Sequence, residues 1–175
     1  IQTASILAEE GKSEAAITLY IRSRQFMKAM DLILDKAPIL VSQGRVQTIE
    51  TWINAFPQEI FMTNPWLVFW KGTCKIPSAP DEAKTLFQKA LAIFETQSDP
   101  AGSFLSLSGI LDAITFQFNV FQEMDQYIEK CRALESRFGI FGPPEMILRL
   151  TASMLNALVL RCPDSEDTKK GGERG

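Results

Sequence analysis

The chain has 175 residues, 46% hydrophobic and 22% charged, with 18 basic against 21 acidic side chains and a net charge of −3. That is one domain's length with ample material for a core, and it argues against disorder and against a strongly basic nucleic-acid surface. Histidine is absent, which removes His-dependent triads, His general bases and His metal ligands.

Nine prolines punctuate the chain, and between them apolar residues recur at helical rather than alternating spacing, so the fold class is all-α. The first helix is under way at Ile1 and stops near Gly11, a residue suited to the left-handed position after a helix. Ser13-Glu14 opens the second, with Ala16, Leu19 and Tyr20 on one face. A third runs from about Phe26 to Ser42, carrying Met30, Ile33, Leu34, Ala37, Leu40 and Val41, and Gly44 ends it. Pro38 inside that pattern predicts a kink or an interruption. A fourth, near Val46 to Ala55, sets Ile49, Trp52, Ile53 and Phe56 in a stripe. Pro57 to Thr63 reads as a connector with room for a helical turn. Asn64 followed by Pro65 is a strong start signal for the helix that holds Trp66, Leu67, Phe69 and Trp70.

The stretch Ile76-Pro77-Ser78-Ala79-Pro80 breaks the chain, and the next helix runs from near Asp81 to about Gln97. After Asp99-Pro100 comes the most apolar helix, from about Ala101 to Phe121, then one from about Glu123 to Phe138. Gly139, Gly142 and Pro143-Pro144 make the next break, and Glu145 to Leu160 is the last helix. The tail 164–175 has no apolar residue and is expected to fray. Cys74, Cys131 and Cys162 are odd in number, unequally spaced and without a CxxC. Reduced thiols in or near a helical core are expected, and with them a cytoplasmic setting. The opening IQTASILAEEGKSEAA carries no targeting pattern; lacking Met and starting inside a helix, it reads as part of a longer polypeptide.

About nine helices in antiparallel pairs fit either a closed bundle or an open stack, and internal repeats decide between them. The second helix of a tetratricopeptide unit places small residues where helices cross and a large one between, as A-x₃-[F/Y]-x₂-A. Ala83, Phe87 and Ala90 match, with Leu86, Leu91 and Phe94 completing the buried face. Ala16, Tyr20 and Ser23 match with Ser in the last slot, and Ala4, Leu7 and Gly11 stand where the preceding helix has its small, packing and turn residues. Ala16 and Ala83 are 67 residues apart, close to two periods of ~34. Residues 26–56 fit poorly, and Met124, Ile128 and Cys131 show the spacing in degraded form. The expected architecture is an open, right-handed tetratricopeptide-like α-solenoid over residues 1–163.

Residues 8–72 resemble the helical-repeat region of the maltose-regulator, LuxR-type class of ATP-dependent transcriptional activators. Ala29, Leu32-Ile33, Leu40, Gly44, Ile49, Trp52-Ile53, Phe56-Pro57, Pro65, Leu67 and Gly72 carry the likeness. Residues 99–131 resemble the continuation of that region in relatives with a bacterial transcriptional-activator domain, through Ala101-Gly102, Gly109 and Asp112-Ala113-Ile114. Phe118 and Asn119 depart from it, where Trp and an acidic residue are expected. The resemblance implies a larger protein whose ATPase and DNA-binding modules lie elsewhere and would be this region's partners. No GxxxxGK[ST] occurs here, so no P-loop nucleotide site is expected, and no helix is basic enough to read DNA.

Six residues stand out as possible ligand or partner contacts: Trp66, Trp70, Asp112, Gln117, Arg149 and Asn156. Asp112 is the lone charge in the 18-residue run from Phe104 to Phe121. That run approaches membrane-spanning length, but Ser106, Ser108, Gln117 and Asn119 mark it as a helix buried within the stack. A buried Asp needs a partner, and Arg149, Arg132 and Arg161 are candidates. Trp66 and Trp70, one turn apart with Phe69 beside them, are core packing or, as sugar-sensing relatives imply, the aromatic wall of a groove. Gln117, Arg149 and Asn156 are polar residues in apolar helices, facing either a ligand or solvent. Lys169-Lys170 and Arg174 are offset by Asp164, Glu166, Asp167 and Glu173 and form no patch. The reading is a non-catalytic sensor and protein-interaction region, without metal or cofactor, binding a small effector or a protein partner. It is expected neither to bind nucleic acid nor to enter a membrane. The alternative is a scaffold or dimerisation module without its own ligand.

Overall fold

A computed structural model describes residues 4, 5, 7, 12–118, 121–139 and 144–161, residue 145 by its backbone alone. Among these the chain is all-α. The helices are α1 (Ser13–Arg22), α2 (Phe26–Ser42), α3 (Val46–Asn54), α4 (Gln58–Thr63), α5 (Pro65–Lys75), α6 (Pro80–Thr96), α7 (Pro100–Gln117), α8 (Met124–Phe138) and α9 (Pro144–Arg161), with one 3₁₀ turn at Phe121–Glu123. Ala4, Ser5 and Leu7 are helical as well. The expected helix start at Ile1, its stop at Gly11 and the tail 164–175 lie outside the described residues.

Proline sets several of the starts. Pro65, Pro80, Pro100 and Pro144 each open a helix, where a missing N–H costs nothing. Asn64 Oδ1 accepts from the Leu67 amide at 3.0 Å, and Asp99 Oδ1 accepts from the Gly102 amide at 3.0 Å. Both bonds satisfy amides that the first helical turn leaves over.

Three turns share one design. Arg24, Gly44 and Ser98 adopt φ of 56°, 72° and 55°. In each turn the next amide reaches back to a carbonyl five residues earlier: Gln25 to Tyr20 at 2.9 Å, Arg45 to Leu40 at 2.8 Å and Asp99 to Phe94 at 2.9 Å. This is the Schellman closure, which reverses the chain in three residues. Only Gly44 has the residue type that pays no steric penalty there.

Two expectations need correction. Pro38 does not interrupt α2, which runs unbroken to Ser42, with Ala37 and Leu40 beside it buried in the core. The segment after Pro57 forms the helical turn for which it had room, the six-residue α4. The apolar helix ends at Gln117, not Phe121, because Phe118 turns left-handed at φ 54°.

The chain divides into two compact units, residues 1–74 and 75–175. In the first, α1 packs on α2 and α3, and α2 packs on α3. Ile17, Ile33, Ile49, Ile53 and Leu67 are fully buried or nearly so, and the Phe26 and Phe56 rings meet at 5.4 Å. Ala16 and Tyr20, the small and large residues of the first repeat match, are both buried.

In the second unit α7 packs against α6, α8 and α9. Eleven of its eighteen residues are buried, so it is covered on every side rather than on one stripe. Glycine allows the closest approach. A methyl group at Gly109 would sit 2.7 Å from the Phe87 ring, and one at Gly102 would sit closer still to the Phe94 ring. Phe87 and Phe94, seven residues apart on α6, thus lie over two glycines seven residues apart on α7. Ala83, Phe87 and Ala90, the second repeat match, have no exposed surface. The start of α6 meets the end of α7 where Gln117 Nε2 donates to Asp81 Oδ1 at 2.6 Å. The α6 side chains Lys84 and Gln88 donate to Glu123 at 2.8 Å and to the Tyr127 hydroxyl at 2.7 Å.

Candidate functional site

Asp112 sits on α7 where that helix faces α9. The Ser153 hydroxyl donates to Asp112 Oδ1 at 2.7 Å, and Arg149 Nη2 lies 3.7 Å from Oδ2. With its proton given to Asp112, Ser153 accepts from the buried Ser108 hydroxyl at 2.8 Å. Burial pushes the Asp112 carboxyl above the usual carboxylate range, and the Ser153 hydrogen bond and the Arg149 charge pull it partly back. Of the three arginines considered for Asp112, Arg161 is held instead by Asp125 through two bonds of 2.7 Å, and Arg132 is exposed. Ser153 was not anticipated. Its signal is a small polar residue sharing α9's buried face with Met146, Leu150 and Ala157.

The chemistry here is that of a tie between two helices. The Ser108–Ser153–Asp112 chain of hydrogen bonds joins α7 to α9 across their buried faces. One hydroxyl on α7 differs from the rest: Ser106 Oγ is buried and has no hydrogen-bond partner among the described residues.

The other sequence candidates are not gathered there. Trp66 and Trp70 are half-buried on α5 in the first unit. Both stand edge-on to the buried Phe69 ring, at 5.9 Å and 5.2 Å, and Trp70 packs on that unit's core. Gln117 is engaged by Asp81, and Asn156 is exposed on α9. Cys74 and Cys131 are buried thiols, and burial raises the Cys131 thiol to about 12. Among the described residues, no three His, Cys, Asp or Glu side chains gather as a metal site. No helix among them is long and apolar enough to cross a membrane.

A hollow in the first unit escaped sequence reasoning. It has a volume of about 480 Å³ and is lined by Lys12, Ser13, Glu14 and Ala15 at the start of α1, Lys36, Ile39, Leu40 and Gln43 of α2 and its end, and Arg45. The three-residue turn at Gly44 brings Arg45 back to the first turn of α1, where its guanidinium grips Glu14 with two bonds of 2.7 Å. That grip holds the Glu14 carboxyl below its ordinary range. Lys12, at the α1 N-cap, supplies no side-chain cap. Lys36 touches Asp35 at 2.9 Å, an exposed carboxylate outside the lining. The cations of the hollow are 24 and 9 positions apart in the chain, so no charge run announces it.

Compared with known families, with curated proteins and with solved structures, the chain matches none.

Proposed function

We propose that the chain is a non-catalytic regulatory sensor and interaction region of a bacterial, cytoplasmic transcriptional regulator. Its helices stack as antiparallel pairs in a right-handed, tetratricopeptide-like solenoid, and an effector or partner binds on the surface. ATPase and DNA-binding modules of the same polypeptide would read out that binding. Three matched turns, the buried Ala83–Phe87–Ala90 pattern, the buried Ala16 and Tyr20 of its counterpart and the glycine–phenylalanine crossing support the repeat architecture. The observation that carries the binding role is the open hollow of about 480 Å³, which has the size of a small-molecule site. A ligand that favours one of two arrangements of the longer protein would convert occupancy into a signal.

A thermal-shift screen against sugars, nucleotides and common metabolites tests this reading. A ligand at ~100 times its dissociation constant adds about 2.7 kcal/mol when it binds only the folded chain. A dose-dependent rise is the expected outcome; no binding by any metabolite, peptide or neighbouring module overturns it.

One observation favours the scaffold or dimerisation alternative. Leu148 and Val159 of α9 are 70% and 42% exposed, more apolar surface than a lone helix face needs. Light scattering that finds a monomer at high concentration removes the self-association form of that alternative.

A further inference from the structure

We infer that the outer face of α9 is the seat of a second copy of this chain, the two α9 helices lying antiparallel across a two-fold axis. The inference rests on the self-association form of the alternative reading and adds the surface, the partner and the register; it does not depend on the hollow. α9 carries two stripes. Met146, Leu150, Ser153 and Ala157 form the buried one, on the side that packs on α7 and α8. Leu148, Ala152, Leu155 and Val159 repeat the same four-three-four spacing two positions on. Two positions are about 200° around a helix, so this second stripe lies on the opposite face. There Leu148 is 70% exposed, Ala152 and Val159 are exposed and Leu155 is half-buried. Four-three-four is the spacing of a coiled-coil seam, in which every side chain inserts into a facing helix.

Three properties of the stripe fit it to its own copy. With the axis passing between Ser153 and Met154, Leu148 faces Val159 of the second copy and Ala152 faces Leu155 of the second copy, so small meets large at the centre. A parallel pair would set Ala152 on Ala152 and leave a gap. Thr151 and Asn156, exposed at the margins of the stripe, come opposite each other, and the Asn156 amide can donate to the Thr151 hydroxyl oxygen. Arg149 and Arg161 stand off the stripe, turned toward Asp112 and Asp125, so like charges do not meet across the axis. The polar tail 164–175 has no apolar side chain with which to cover the face. The seam is about three turns long, at the small end of protein interfaces, so the dimer forms at high concentration and dissociates on dilution.

Sedimentation velocity of the whole 175-residue chain over a range of concentrations tests this. A monomer–dimer equilibrium is expected, and Leu148→Glu should weaken it roughly tenfold or more, because the two-fold axis buries the added charge twice. Leu148 is mostly exposed in the single chain, so the variant keeps its fold, which circular dichroism checks. Oxidative cross-linking in a Cys162→Ser background, free of the native thiol nearest in sequence, reads the register. Leu148→Cys mixed with Val159→Cys should cross-link. Leu148→Cys alone should not, since antiparallel pairing holds its two copies about 16 Å apart along the helix axis. A dimer that Leu148→Glu leaves unchanged, or cross-linking by Leu148→Cys alone, overturns the inference and keeps the self-association reading. A monomer at every concentration overturns both and leaves the face to a helix of another sequence. The metabolite screen for an effector stands apart from either result.

Discussion

The two units handle charge in opposite ways. In the first, the core residues are apolar and the charges stand at the rim, where Glu14 and Arg45 pair with 49% and 43% of their side chains exposed. In the second, the central helix carries Ser103, Ser106, Ser108 and Asp112 within the packing, and α9 ties down two of them, Ser108 and Asp112. A rim pair adds little to stability and remains open to exchange with a ligand. An interior group must be satisfied, and once satisfied it has nothing left to offer one. The contrast is between a charge pair left at a solvent-facing rim in the first unit and polar groups fixed between packed helices in the second.

The largest test of that contrast is steric. Gly109→Leu forces a side chain into the Phe87 ring, and a loss of about 3 kcal/mol or more is expected in chemical denaturation, the upper range of overpacking. An unchanged midpoint would show that α6 and α7 are less closely joined than described. Next, Ser106→Ala removes a buried hydroxyl that has no partner and should gain about 1 kcal/mol; a loss would mean that the hydroxyl is satisfied in solution.

The carboxylates give a comparison of sign. The folded state raises Asp112 above its ordinary value, so it binds more protons there than the unfolded chain does. Its contribution is most favourable below the ordinary value and is lost as pH rises from about 4 through the raised one. The stability of Asp112→Asn relative to the parent should therefore grow as pH rises through that window. Glu14 is lowered, so its contribution is present above the ordinary value and lost as pH falls below it. Glu14→Gln should fall behind the parent as pH rises from 3 to 5. Urea midpoints across that range decide both cases, and slopes of the same sign would erase the distinction between rim and interior. The smallest effect is Glu14→Gln at neutral pH, within about 0.5 kcal/mol in the same assay.

Much of the helix order was legible because proline and glycine mark it chemically. Asn64-Pro65 and Asp99-Pro100 announce starts, and in the structure both Asn64 and Asp99 cap the helix that follows. Ends were legible at Gly44 and Gly139, where a left-handed residue is cheap, and near Gln97, where Asp99-Pro100 follows; they were illegible at Arg24 and Phe118, where helix closure imposes a positive φ on ordinary residues. The end of α7 was overshot because Phe118 and Phe121 continue the apolar pattern. Asp112 advertised itself as a lone charge among apolar residues, and its need for an arginine followed from burial. Ser153 and the hollow did not show, since one depends on which face α9 buries and the other on a turn that folds distant cations together.

The recurring turn leaves its third residue uncommitted. Closure needs only the amide at Gln25, Arg45 or Asp99, so the side chain is at liberty. Asp99 uses that liberty to cap α7, and Arg45 uses it to carry a charge to the mouth of the hollow. The joint behaves like a standard hinge-plate with an open socket. The charge at the mouth of the hollow could be exchanged through one side chain at position 45 while the chain path around it stays as it is.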